Sequence, residues 1–337
     1  MVKRQKVITV RKGYLKLRRV SMLTVDRYSK SAIGFLTRRR LAVPEDLSSL
    51  KPECIGDHEV EADIEWLYEA GYESHVGTYL VAALNFFCNV PRALSPWPNA
   101  RGALSGWKNL EPSISTMPCP WIVATHIAWR LMMKKDPVAA QAARLWLVSF
   151  DAYSRSCEIL DVKTHNCFLP NVGGSTVFAF TLSSSLDFEM QTNAGRPLRT
   201  KTKATDDTIV IDKQSFPGIG LIFRQLVCAA KAANADTLSF MLTYPAYATL
   251  ITSAAVEANI PFKVTPHLAR HGGASEDFFR RKRSLDEIMK RGRWRDKRSV
   301  ARYEKSGMLL KSLSSLSPQT RAECERTHAL NLRFMAE

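Results

Sequence analysis

The sequence predicts a mainly α-helical protein with a small β-sheet, built as a helical N-terminal domain followed by a mixed α/β domain. Three observations carry that prediction. Apolar side chains recur at helical spacing over most of the 337 residues. Runs rich in β-branched residues are confined to residues 159–212. Prolines 91, 96, 98, 112, 118 and 120 interrupt the chain between two helical regions, and Leu110–Pro120 is read as the boundary. The domains are therefore expected at 1–112 and 118–337.

The elements follow in order. Thr24 is expected to cap a helix whose apolar positions are Val25, Tyr28, Ala32 and Phe35. Val60, Ile64, Leu67 and Tyr68 mark a second helix ending near Gly71, and Val76 to Phe87 a third. Within the proline-rich stretch only Leu104–Trp107 reads as a short helix. Beyond the boundary, Trp121–Met133 and Val138–Tyr153 are expected to pack as a helical pair. Val177–Leu182 and Thr208–Asp212 read as strands. Helices resume at Leu221–Ala233, Thr249–Ala258, Ala274–Arg281 and Leu285–Arg291, the last opened by a capping box of Ser284 and Glu287. Gln319–Phe334 reads as a C-terminal helix, either packed on its own domain or docked into a neighbouring protomer.

Composition narrows the function classes. At 45% hydrophobic and 24% charged residues the chain is that of a folded protein, not a disordered tail. Its seven cysteines are odd in number and lack a C-x-x-C pair, so a disulfide scaffold is excluded and a reducing intracellular compartment is expected. The N-terminus lacks an apolar core for a secretory leader, and Thr237–Val256, though uncharged, holds Pro245 and many hydroxyl residues. No membrane partner is expected. The net charge of +16 is concentrated in two windows. Residues 1–20 carry eight basic side chains and no acidic one, while residues 263–305 carry fourteen basic and six acidic. Charge confined in this way points to a polyanion partner. The N-terminal window suits an arm along a duplex, a nuclear localisation signal or a solvated tail.

The most informative segment is Thr265-Pro266-His267-Leu268-Ala269-Arg270-His271-Gly272-Gly273, followed downstream by Arg291-Gly292-Arg293-Trp294 and Arg302-Tyr303-Glu304-Lys305. On a helix His267, Arg270 and His271 share one face. A zinc site would need the Glu of H-E-x-x-H and a third ligand, and both are missing, so no metal is expected. Phosphoryl transfer through a covalent tyrosine uses the whole set. Without a metal, guanidinium groups must hold the non-bridging oxygens, a hydroxyl must attack, and an acid must protonate the departing oxygen.

These residues resemble the catalytic domain of the tyrosine recombinases, the phage-integrase-type family. His267-x-x-Arg270-His271, then Trp294, then Tyr303 nine residues later, match the C-terminal half of its motif. Upstream, Arg155-Ser156-Cys157-Glu158-Ile159-Leu160 resembles the family's Arg-x-x-Glu-Leu box, with Tyr153-Ser154 where the family usually writes Thr-Gly. Thr200-Lys201-Thr202-Lys203 resembles its β-hairpin lysine, Lys201 being preferred over Lys203. The N-terminal half resembles the family's helical, SAM-like core-binding domain.

The resemblance implies roles. Tyr303 attacks the scissile phosphate to give a 3′-phosphotyrosyl bond. Arg155 and Arg270 clamp the non-bridging oxygens, and Lys201 protonates the leaving 5′ oxygen. His267 contacts the phosphate or accepts the tyrosine proton, Trp294 shields the phosphate, and Glu158 and His271 support the site. Arg280, Arg281, Lys282, Arg283, Lys290, Arg291, Arg293, Arg295, Lys297 and Arg298 are expected to neutralise DNA phosphates. The implied partner is double-stranded DNA held by a homotetramer. No cofactor is implied, and localisation follows the host, nuclear in a eukaryote and otherwise cytoplasmic. Two other outcomes share these features: DNA relaxation like that of type IB topoisomerases, and a domesticated DNA-binding protein that no longer cleaves.

Overall fold

The structure, a computed structural model, describes residues 20–112, 117–171, 177–182, 208–212, 218–294, 296–301, 303–304 and 306–334. The chain divides into two compact units, Met1–Ser115 and Thr116–Glu337.

The first unit holds α1 (Met22–Arg38), α2 (Asp57–Glu69), α3 (Ser74–Phe87) and α4 (Pro98–Leu110). Helix α1 packs on α3, and α2 on α4. Ser21, not Thr24, is the cap of α1: its hydroxyl accepts the Thr24 N–H at 3.2 Å, so the helix opens at Met22, before Val25. Gly71, at φ 76°, lets the chain turn after α2 in a conformation that an L side chain rarely adopts. Helix α4 is far longer than the expected Leu104–Trp107. Pro98 occupies its first turn, where a missing N–H costs nothing, and the Asp57 carboxylate accepts the Asn99 and Ala100 N–H groups at 2.8 and 3.1 Å. That cap comes from another helix, so local sequence does not announce it. The core joins Phe35, Ile64, Leu84, Trp97 and Trp107, and the Trp97 indole N–H donates to the Ile55 carbonyl. Asp63 is buried and accepts from Arg38 through both oxygens, at 2.9 and 2.7 Å, which is what makes a carboxylate tolerable there.

The second unit is organised around α6 (Pro137–Ala152), on which α5 (Trp121–Met133), α8 (Ile219–Ala232), α9 (Tyr244–Glu257) and α10 (Leu268–Phe279) all pack. Between them lie the short α7 (Ser156–Leu160) and the strands β1 (Cys167–Phe168), β2 (Ala179–Thr181) and β3 (Thr208–Val210). The strands form an antiparallel sheet in the order β1-β2-β3, with Phe180 opposite Cys167 on one side and Ile209 on the other. Phe180 and Ile209 are buried in the core with Phe223 and Leu226 of α8. The remaining helices are α11 (Leu285–Arg291), α12 (Lys297–Ala301), α13 (Ser306–Ser314) and α14 (Pro318–Phe334). The Ser284–Glu287 capping box opens α11 as its sequence dictates. Helices α9 and α10 begin earlier than their apolar periodicity suggests. Thr243 caps α9 with Pro245 in the first turn, and α10 starts within the histidine motif itself.

Two features of this unit position the site. Gly273 brings α10 against α6 so closely that a Cβ would stand 1.9 Å from the Phe150 carbonyl oxygen. The other concerns the C-terminal helix: α14 packs on α5 of its own unit, burying Cys324 and Thr327, with Thr327 Oγ1 3.0 Å from His126 Nδ1. All seven cysteines are free thiols. Among the described residues no helix is long and apolar enough to cross a membrane, and no cluster of three or more His, Cys, Asp or Glu side chains could hold a metal.

Candidate active site

Helix α6 is closed by Tyr153, which takes a left-handed backbone (φ 47°, ψ 37°) and swings the chain into Arg155, the residue that caps α7. Tyr153 is anchored at both ends. Its hydroxyl donates to Asp277 of α10, and its carbonyl accepts from Arg270 Nη1. Burial, then the Asp277 charge, pushes the Tyr153 hydroxyl well above its usual range, so it keeps its proton.

Arg270 lies in the first turn of α10 and is 1% exposed. Besides the Tyr153 carbonyl it reaches the Gly292 carbonyl, through Nη2 at 2.6 Å. Its guanidinium carbon lies 4.3 Å from the centre of the Trp294 ring, a cation–π contact. Burial first, and then the nearby Arg155 charge, lowers Arg270 to about 10, still high enough to stay charged at neutral pH. Among the described residues its hydrogen-bond partners are neutral carbonyls, so no carboxylate bonds it directly.

Tyr303 follows α12, held by its N–H to the Val300 carbonyl at 2.7 Å, and is 8% exposed. Its ring lies 4.4 Å from the Trp294 ring and 4.9 Å from His271, whose own ring lies 4.8 Å from His267. Ile288, Val300, Ala274 and Tyr153 form a small separate core beneath this row. The stack thus runs His267, His271, Tyr303, Trp294, Arg270, drawn from α10 and from the segments after α11 and α12. His267 is its exposed end.

Arg155 joins through Glu158. The Arg155 backbone N–H donates to Glu158 Oε2 at 2.9 Å and its Nη1 to Oε1, while Arg293 Nη2 reaches Oε2 at 2.6 Å. Burial pushes the Glu158 carboxyl up, but Arg293 and then Arg155 outweigh it and hold the group below the usual carboxylate range.

The structure therefore brings together Arg155, Glu158, His267, Arg270, His271, Trp294 and Tyr303. Lys201 and its alternative Lys203 lie outside the described residues, as does Arg295. Arg298 falls in α12. Several of the downstream arginines pair with carboxylates within the fold. Arg283 pairs with Asp212 at 2.7 Å and Asp277 at 3.1 Å, and Arg291 with Asp151 and Asp212, each at 2.9 Å. Arg293 pairs with Glu158, and Arg280 with the Glu276 that caps α5 by accepting the Trp121 N–H. The side chains of Arg283, Arg291 and Arg293 are largely buried, because buried Asp151, Asp277 and Glu158 need cations. Arg281, Lys282 and Lys290 remain exposed on the surface.

Sequence reasoning missed the network of Asp151, Tyr153, Asp277 and Arg291. A signal was present: Asp151 closes the apolar run Leu147-Val148-Ser149-Phe150, and a carboxylate there demands a partner.

No family model matches the sequence, and no curated protein matches it. Solved structures do match in fold. The XerH site-specific recombinase bound to palindromic difH substrate is 12% identical, with 89% of this chain and 81% of that chain covered, at a TM-score of 0.57. The Tn1549 transposon integrase in complex with transposon right-end DNA is 12% identical, covering 93% and 97%, at 0.54. A lambda integrase dimer bound to a COC′ core site is 11% identical, covering 87% and 92%, at 0.52. The chain has the fold of the tyrosine recombinases.

Proposed function

We propose that this protein is a site-specific DNA recombinase or integrase that cleaves and rejoins DNA through a 3′-phosphotyrosyl intermediate. The observation that carries the reading is the cluster of Tyr303 with His271 and Trp294, whose ring the Arg270 guanidinium also contacts. A hydroxyl nucleophile and a buried guanidinium held by neutral carbonyls share one cluster, and Arg155 stands beside it.

In this reading the Tyr303 oxygen attacks phosphorus, a new P–O bond forms, and the bond to the 5′ oxygen breaks. The tyrosine proton passes to the histidine side of the stack, His267 or His271, and the departing 5′ oxygen takes a proton from an acid, the role expected of Lys201. Arg270 and Arg155 hold the non-bridging oxygens as charge develops on them. The number of phosphoester bonds is unchanged, so the 5′ hydroxyl of another strand can reverse the step without ATP. Exchange between two duplexes uses four active sites, hence a homotetramer on DNA. Arg281, Lys282 and Lys290 supply phosphate contacts around the site.

The test is a nicked duplex taken from DNA flanking the coding region, from which the short 5′-hydroxyl strand diffuses away after cleavage. The expected product is a denaturation-resistant protein–DNA adduct mapping to Tyr303. DNA binding with no adduct would overturn the reading in favour of a binding protein. Relaxation of supercoiled DNA without strand exchange would make it topoisomerase-like.

A further inference from the structure

The phosphate-transfer scheme leaves Arg293 without a task, yet its placement is costly. It follows α11 with a left-handed backbone, φ 54°, its N–H donating to the Lys290 carbonyl at 2.9 Å. Such a backbone closes a helix, as it does at Arg40, Lys135 and Arg281, so what sets Arg293 apart is where its side chain goes. It reaches Glu158: Nη2 donates to Oε2 at 2.6 Å, and the Arg293 side chain is 5% exposed.

Glu158 is thus shared. Arg155 binds it through its backbone N–H and Nη1, and Arg293 binds it from the other side. A phosphate at Arg155 competes with Glu158 for its guanidinium, whose Nη1 donates to this carboxylate. Were Arg155 its sole cation, that competition would leave a largely buried anion unpaired beside an incoming phosphate. Arg293 removes the conflict, because Glu158 keeps a partner throughout. Arg293 is also bonded in sequence to Trp294, so its ion pair ties the start of α7 to the segment that covers Arg270.

We propose that Arg293 is a positioning residue that holds Glu158 and, through it, keeps the Arg155 guanidinium and the Trp294 indole in register for the scissile phosphate. This rests on the recombinase reading. A direct phosphate contact by Arg293 is the competing role, and its pairing with Glu158 argues against it.

The test uses the full chain and three variants: R293G, which relieves the left-handed backbone while deleting the side chain, E158Q, and the two combined. On the nicked duplex, R293G is expected to slow adduct formation roughly 10- to 100-fold, the scale of a displaced reacting group. Its DNA affinity should stay within about twofold, since no phosphate contact is lost. The loss should not add to that of E158Q in the double variant. The acid limb of the R293G cleavage profile should move to higher pH, since the cation that most lowers the Glu158 carboxyl is gone. Carbon-13 titration of the Glu158 carboxyl, assigned by its absence in E158Q, should show the same upward shift without DNA. Full additivity with E158Q, or an unmoved Glu158 midpoint, overturns the proposal. If the wild-type chain forms no adduct while R293G still moves the midpoint, the enzyme reading has failed and the Arg293–Glu158 link stands.

Discussion

The Trp294 indole lies 4.4 Å from the Tyr303 ring, centroid to centroid, at an interplanar angle of 42°. The Arg270 guanidinium lies 4.3 Å from the same ring centre. One side chain therefore touches both the candidate nucleophile and the candidate clamp, which are 8% and 1% exposed.

Tyr303→Phe should abolish the covalent adduct and leave DNA affinity nearly unchanged, because one hydroxyl adds little to a phosphate-dominated interface. The phenyl ring preserves the packing against Trp294, His271, Ile288 and Val300, so the melting temperature should also hold. An adduct surviving in this variant, resolved on a denaturing gel, would place the nucleophile elsewhere.

Arg270→Lys should lose cleavage by about two orders of magnitude or more, since the forked donor geometry is lost. Stability should fall as well, by about 1–3 kcal/mol, because an ammonium cannot reach both the Tyr153 and Gly292 carbonyls. Denaturant titration beside the adduct assay separates the two effects. A variant that is stable and fully active would reduce Arg270 to a steering charge.

Asp151→Asn tests the hidden network. Asp151 is fully buried and pairs with Arg291 at 2.9 Å. Neutralising it leaves the largely buried Arg291 with Asp212 as its carboxylate and the residue-151 carbonyl as a further acceptor, and a loss of about 3 kcal/mol is expected from breaking a buried pair. Urea unfolding monitored by circular dichroism reads it directly, and a change below about 0.5 kcal/mol, the scale of surface substitutions, would show that the pair is dispensable.

Removing α14 from Pro318 onward should destabilise the second unit instead of merely disrupting assembly. Cys324 and Thr327 are fully buried against α5, and the Thr327 hydroxyl lies 3.0 Å from His126 Nδ1, a contact worth roughly 1 kcal/mol that truncation removes along with the buried surface. The truncated chain should melt at a lower temperature and bind DNA less well. A truncated protein with native stability that binds one site yet fails to pair two duplexes would instead show that α14 serves a neighbouring protomer.

Stability should also fall on acidification below the ordinary histidine range. Burial lowers His126 on α5, with Arg130 and Arg326 adding to the effect and Glu323 opposing it. Burial likewise lowers His328 on α14, helped by Arg280 and opposed by Glu276. Both histidines are neutral in the folded state more readily than in the unfolded chain. Their contribution is complete above the unfolded value of about 6.5 and is lost as pH falls from there through the lowered folded values. Thermal melts from pH 8 to pH 5 should show the decline, and replacing both histidines by Gln should flatten it.

Helices spaced by apolar periodicity were legible from sequence alone: Trp121–Met133 and Leu285–Arg291 have the expected bounds, because their stripes are local and, for the second, so is the cap. The order of Arg155, His267, Arg270, Trp294 and Tyr303 was legible too, since residue type and spacing are properties of the chain. What the tertiary structure alone decided is where each charge goes. Helix α4 is capped by Asp57 across 42 residues, and Arg291 meets Asp151 across 140. From sequence, Arg283, Arg291 and Arg293 look like part of one basic surface. In the fold they neutralise buried carboxylates, because a carboxylate in a packed interior must find a cation, and only packing determines which one is within reach.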